Sequence, residues 1–328
     1  MGRLMASQPI LLTNCMRLFV AVTDNEWFKL HASKETVDEV NFWRPLSEAN
    51  FKALAPGELL LFKLHSPENF IAGGGFFTRF VRLPVNLAWE TFGEANGVRT
   101  LTEMRDRIAR YRHRPFAPGE NPEIGCILLA EPFFWEPANW IPIPPDFKLN
   151  TVQGKGYSAE TGYGVALWGS VKERLAVSQG AELENQIAAR AAISAQGYGE
   201  PQIVLPRLGQ GLFRTLVTDL YDRRCAITGE RTLPVLDAVH IKPFSLVQQH
   251  EVPNGLLLRS DLHRLFDEGY LTVDPTDRRV VVSKRIKEEF DNGKEYYRLE
   301  GMTLRAPVEP WAAPSTGNLE YHAYNVFR

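Results

Sequence analysis

Along the first third of the chain the apolar positions fall in runs rather than at helical spacing. MRLFVAVTD (16–24) is dense in branched and aromatic residues and closes at Asp24 and Asn25, and ELLLFKL (58–64) repeats the pattern after the turn Pro56-Gly57. Both are read as β-strands. IAGGGFFTRFVRL (71–83) is the next strand, its triple glycine, Gly73 to Gly75, marking a bulge or a place where another backbone comes close. At residue 100 the period changes. Thr100 and Glu103 form a capping box, and Leu101, Met104, Ile108 and Tyr111 recur at helical spacing behind it. EIGCILLAEPFFW (123–135) returns to strand, and the prolines of WEPANWIPIPPDF (135–147), lacking amide donors, make that segment an ordered loop. Its aromatics, with Phe133 and Phe134 before it, are read as core.

From Gly169 to Ala195 the chain is rich in Ala, Glu and Arg without strand formers, which predicts a helix joining two domains, broken at GYGEP (197–201). Further on, CAITGE (225–230) and VLDAVHI (235–241) read as two short strands joined by a turn at Gly229 and Glu230. HEVPNG (250–255) is a loop. A helix then runs from Asp261 to Glu268, with Ser260 as its cap, Asp261 at its positive end and Gly269 as its stop. RRVVVS (278–283) is a strand, RIKEEFDNGKEYYRLEG (285–301) a charged helix and turn, and PSTGNLEYHAYNVF (314–327) a closing helix. Residues 1–15 carry little pattern.

Composition adds limits. With 328 residues, 44% hydrophobic and 23% charged, the chain is long enough for two domains, each with its own core. Cys15, Cys126 and Cys225 are too scattered for a disulfide framework, which fits a reducing cytoplasm. The run PILL (9–12) is far too short to span a membrane and, with only Arg3 before it, makes a poor signal peptide, so a cytoplasmic protein is expected. A net charge of −2 gives no global support for nucleic-acid binding, so any such contact must be local. Arg105, Arg107 and Arg110, with Arg112 and Arg114, put donors for phosphates on the outer side of the helix after Thr100, a solvated surface helix being the alternative.

The candidate chemistry lies between Asp237 and Gly269, where His240, His250 and His263 stand beside Asn254 and several carboxylates. Imidazole and carboxylate together suit a divalent ion, and a neutral histidine outside the coordination sphere can deprotonate water. His263 and Asp267, four apart on a helix, leave the same face and can hold one ion. His250 is read as a structural loop residue.

His240, Asn254 and His263, on a hairpin followed by a helix, resemble the HNH or ββα-metal endonucleases, and the likeness runs from PRLGQGLFR through RRCAITGE, LDAVHI, NGLLLRSDLHRLFDEG and NGKEYY. It implies that His240 is the general base, that Asn254 holds the loop and orients His240, and that His263 is a metal ligand joined by Asp267. Where many of these enzymes place a ligand just before the base, this chain has Val239, which cannot bind metal. Asp237 is the nearest replacement, although in a regular strand it faces away from His240, so a bulge or twist is required. The ion expected is Mg²⁺ or Mn²⁺, with Ni²⁺, Co²⁺ and Zn²⁺ also compatible. Cys225 has no second thiol nearby, which argues against a zinc knuckle.

In the first half, the order FWRP, FKALAPGELLLFKL, NFIAGGGFF resembles the PUA-like β-barrels that include EVE and SRA domains. That resemblance implies a modified-base pocket at Phe42, Trp43 and Arg44, with packing of the barrel as the alternative for Phe42 and Trp43. The expectation is an α+β chain: a PUA-like DNA-reading barrel with flanking helices (1–168), a helical linker (169–200) and a ββα-metal HNH domain (201–328). Its function would be modification-dependent restriction of double-stranded DNA carrying 5-methyl- or 5-hydroxymethylcytosine, with a homodimer supplying two sites. The alternative is an HNH nuclease whose front domain reads unmodified sequence, RNA or a protein partner.

Overall fold

A computed structural model describes residues 16–46, 50–179, 208–247 and 249–328. The chain divides into two compact units, one of residues 1–89 and 93–206 and the other of residues 90–92 and 207–328. Residues 1–15, the later part of the helical linker and the GYGEP break lie outside the described residues.

In the first unit the apolar runs are strands: β1 (Arg17–Thr23), β2 (Glu39–Arg44), β3 (Leu59–Leu64), β4 (Phe70–Pro84), β5 (Glu123–Phe134), β6 (Ile141–Pro142) and β7 (Gly154–Ser158). They form one sheet in the order β2-β5-β4-β3-β1-β7, with β6 paired to β4. β1 and β3 run parallel and the other neighbours antiparallel. All six residues of β3 are buried, which requires cover on both faces. On one face Leu59 and Leu61 pack with Phe133, Trp135 and the inner side of α4 (Tyr163–Gln179); on the other Leu60 and Phe62 pack with Trp27 and Phe28 of α1 (Asn25–Ala32).

The triple glycine is a close approach, as expected. A Cβ on Gly73 would strike the Phe133 carbonyl oxygen and one on Gly74 the Leu60 carbonyl oxygen, so no side chain fits between these strands. Register shifts between Gly74 and Phe76 and between Phe77 and Arg79 bend β4. The bend does not close a barrel. Among the described residues β2 and β7 end the sheet with no ladder between them. Arg44, at the end of β2, instead reaches Gln153, just before β7, through a side-chain hydrogen bond of 2.9 Å.

α2 (Val85–Phe92) continues directly from β4, and α3 (Leu101–Arg112) begins at its Thr100 cap, whose Oγ1 accepts from the Glu103 amide at 3.1 Å. The Glu103 carboxylate accepts from the Arg99 amide, one residue before the cap, so the box is shifted by one position. The proline-rich loop does include regular pieces, a short 3₁₀ turn at Pro137–Asn139 and the two residues of β6.

In the second unit α5 (Gln210–Leu220) precedes a hairpin of β8 (Leu236–His240) and β9 (Gly255–Arg259), between which lies the single turn α6 (Phe244–Val247). α7 (Ser260–Asp267), the hairpin of β10 (Leu271–Val273) and β11 (Val280–Val282), α8 (Arg285–Phe290), α9 (Lys294–Tyr297) and α10 (Thr316–Asn325) follow. CAITGE is not a strand. The Gly229 amide donates to Cys225 O and the Cys225 amide to Glu230 O, closing a turn that buries Cys225, Ala226 and Ile227 in the core. Its apolar residues imitate a strand because the turn itself plugs the core. The partner of β8 is β9. Ser260 is the first residue of α7 rather than its cap, its hydroxyl donating to Val235 O, while Gly269 ends the helix turn at φ +74° as predicted.

Candidate active site

The β8–β9 hairpin carries His240 at its end, and the loop that leaves it is pinned by Asn254. The Lys242 amide donates to Asn254 Oδ1 at 2.8 Å, Asn254 Nδ2 donates to Lys242 O at 2.9 Å, and the Ile241 amide donates to Asn254 O at 2.9 Å. Asn254 is 1% exposed, so these bonds form away from water, where leaving their partners unpaired would cost about 1–3 kcal/mol each. The residues from Lys242 to Asn254 are thereby closed into a loop whose foot adjoins His240.

Helix α7 follows β9 without a connecting loop and brings His263 to the start of β8. Asp237 Oδ2 lies 3.2 Å from His263 Nδ1, and Asp267 Oδ2 lies 3.0 Å from His263 Nε2. The β8–β9 register runs unbroken from Leu236 opposite Arg259 to His240 opposite Gly255, so the bulge expected for Asp237 is absent. It is unnecessary because Asp237 is met by the helix rather than having to reach round the strand. Val239, the residue with no ligating atom, is 1% exposed in the hydrophobic core. His240, Asp237, His263 and Asp267 all line one cleft of about 620 Å³, together with Phe213 and Phe244.

The pKa values of the two histidines are shifted in opposite directions. Burial, and then the nearby His250, push His240 down to about 4, so it is neutral at pH 7 and has a lone pair to accept a proton. His263 is raised, first by its hydrogen bond to Asp267 and further by Asp237.

Among the described residues no three histidine, cysteine or acidic side chains converge as a ready-made metal cage. The two carboxylates address different nitrogens of one imidazole. The donor chemistry, one imidazole and two carboxylates within 3.2 Å of it, fits a hard or borderline divalent ion.

One residue was not foreseen. His250, read as a loop residue, places its Nδ1 2.9 Å from His240 Nε2. Nine residues stand between the two histidines, which hides this pairing from any local pattern.

The residues expected to line a base pocket alternate along β2. Phe42 packs against Trp27 and Phe62 in the core, whereas the Trp43 indole N–H donates to Asn96 O at 2.8 Å with its ring 6.1 Å from Tyr111, and Arg44 is held by Gln153. Of the three phosphate donors, Arg107 is 8% exposed and bonded to Glu103, Glu26 and Asp24, and Arg105 donates to Glu120 O and Asn86. These two arginines hold α3 in place. Arg110 is exposed beside Tyr111.

Solved structures similar to the chain include a tyrosine-to-phenylalanine mutant of ZmASCH from Zymomonas mobilis, 13% identical, covering 47% of this chain and 96% of that one at a TM-score of 0.32. A serine-to-alanine mutant of the same protein is 15% identical and covers 36% of this chain and 73% of that one, at a TM-score of 0.24. None of the curated proteins compared with the chain matches it significantly. Residues 225–274, which contain β8, β9, α7 and β10, match the HNH endonuclease family (HNH_2), and the second unit therefore holds an HNH endonuclease domain.

Proposed function

We propose that the chain is a metal-dependent, modification-dependent DNA endonuclease in which the first unit selects the DNA and the second hydrolyses it. The observation that carries the hydrolytic reading is the meeting, in one cleft, of a neutral His240 with the His263, Asp237 and Asp267 donor set. His240 takes a proton from the attacking water, and Asn254 fixes the loop that holds His240 toward the cleft. His263, with Asp237 and Asp267, would hold a divalent ion, which when bound supplies Lewis-acid stabilisation of charge on the phosphate and the departing 3′ oxygen. Products accordingly carry 5′ phosphates. A pair of chains provides the two sites that a double-strand break requires, a pairing that light scattering reads directly.

The first unit is assigned to reading a modified cytosine. Supporting this is the half-exposed Trp43 beside exposed Tyr111 and Arg110, an aromatic and cationic surface suited to stacking on a base and contacting its phosphate. The test is a cleavage panel of otherwise identical duplexes carrying cytosine, 5-methylcytosine, 5-hydroxymethylcytosine, glucosylated cytosine, N6-methyladenine or phosphorothioate. Preferential cutting of methylated or hydroxymethylated cytosine is expected, and equal cutting of all substrates removes the modified-base assignment while leaving the nuclease.

A further inference from the structure

The loop between Lys242 and Asn254 folds back over the end of β8 and delivers two rings to His240. Phe213 of α5 lies flat against the His240 imidazole, centroids 4.1 Å apart and planes inclined by 7°. Phe244 of α6 stacks on His250 at 4.3 Å and 16°, and Phe213 also approaches His250 at 5.5 Å. The two imidazoles are thus held between two phenylalanine rings while Nε2 of one meets Nδ1 of the other at 2.9 Å. A stray surface contact would not bring ring stacking and a hydrogen bond together on the same pair.

We propose that His250 is a positioning residue for the base: its Nδ1 accepts the Nε2–H of His240, which leaves His240 Nδ1 as the nitrogen with the free lone pair. This inference rests on the nuclease reading above and adds a residue to its site. A catalytic histidine needs one ring nitrogen fixed so that the other is aimed, and the tautomer is set by the bond that the first nitrogen makes. In many enzymes a carboxylate or a backbone carbonyl serves as that partner. Here an imidazole does so, and it brings no negative charge to the pair. When water loses its proton to His240 Nδ1, the positive charge on His240 is stabilised by the lone pair of His250 Nδ1 across the same hydrogen bond. No proton need leave the pair for the step to balance.

The acceptor sits at the Nδ1 position, and an asparagine side chain places its Oδ1 at nearly the same distance from the backbone. His250→Asn therefore keeps an acceptor for His240 Nε2–H, whereas His250→Leu keeps bulk against Phe244 and removes the acceptor. The experiment measures kcat and KM of the full chain, wild type and the variants His250→Leu, His250→Asn and His240→Ala, on the duplex that the wild type cuts best, with Mg²⁺ or Mn²⁺, and records Mn²⁺ affinity and thermal midpoint for each. His250→Leu should lower kcat by at least about tenfold with KM, Mn²⁺ affinity and thermal midpoint little changed, and His250→Asn should recover most of the loss. Wild-type kcat in His250→Leu while His240→Ala is inactive overturns the role of His250 alone, as does an equal loss in the Leu and Asn variants. Unimpaired cutting by His240→Ala, or none by the wild type, overturns the nuclease reading and this inference with it.

Discussion

His31 and His322 are buried at 0% and 2% exposure, and their titration couples each unit's stability to pH. His322 is held by two bonds. Its Nε2–H donates to Phe266 O at 3.0 Å, so in the neutral ring Nδ1 accepts from the Thr272 hydroxyl at 2.8 Å. Among the described residues His31 has no hydrogen-bond partner at either nitrogen, and it lies against the rings of Trp27 and Phe134. Burial pushes His322 down to about 4 and His31 down to about 3. Both folded values lie below that of an unfolded histidine, near 6.5, so the unfolded chain binds protons more readily and stability is lost as pH falls below that value. At pH 5 each should cost its unit roughly 2 kcal/mol relative to pH 7. Thermal melts at the two pH values should show the drop, and His31→Leu, which cannot titrate, should flatten it for the first unit; a midpoint independent of pH would contradict the account. At this scale the sequence picked out His240, His263, Asp237 and Asp267 by type and spacing, and the structure brings those four to one cleft, with Asn254 pinning the loop beside it. The sequence did not disclose that His250 meets His240, nor that Arg105 and Arg107 are bonded to neighbouring groups of the first unit.

Among elements, α7 does the most to assemble the site, since it carries both His263 and Asp267 and ends at Gly269. That glycine has φ +74°, and a Cβ there would collide with the Val326 carbonyl oxygen, while its own carbonyl accepts from the Arg328 amide at 2.9 Å. Gly269→Ala should therefore destabilise the second unit by about 1–3 kcal/mol, through left-handed strain and displacement of the chain's last residues. A denaturant midpoint equal to that of the wild type would show that the contact carries no weight. Strands whose apolar runs are long were legible: β1, β3, β4 and β5 fall where branched and aromatic residues accumulate. α1 and β2 were not, because WFKLHA and EVNFWR mix polar with apolar residues and are fixed by burial against Phe62 and by pairing with β5. CAITGE misled for the opposite reason, its apolar residues serving a buried turn.

For the whole molecule, a change of pattern after residue 168 was legible, with 169–200 expected as a linker, and the main division of the chain falls between residues 206 and 207. The closure of the sheet was not legible, since a barrel and a bent open sheet share the same alternation and differ only in whether the end strands find each other. The nuclease claim rests on His240 acting beside a divalent ion held by His263, and two single replacements separate those roles. His240→Ala should abolish metal-dependent cleavage, by at least about a hundredfold, with Mn²⁺ and DNA binding retained, whereas His263→Ala should lose cleavage and Mn²⁺ affinity together. The most direct measurement is cleavage of plasmid and phage DNA by wild type and His240→Ala side by side, with Mg²⁺, Mn²⁺ or Ni²⁺ and with chelator. Metal-dependent cutting to 5′-phosphate ends by the wild type alone is the result predicted; equal cutting by His240→Ala, or none by the wild type on any DNA with any of these ions, would contradict it.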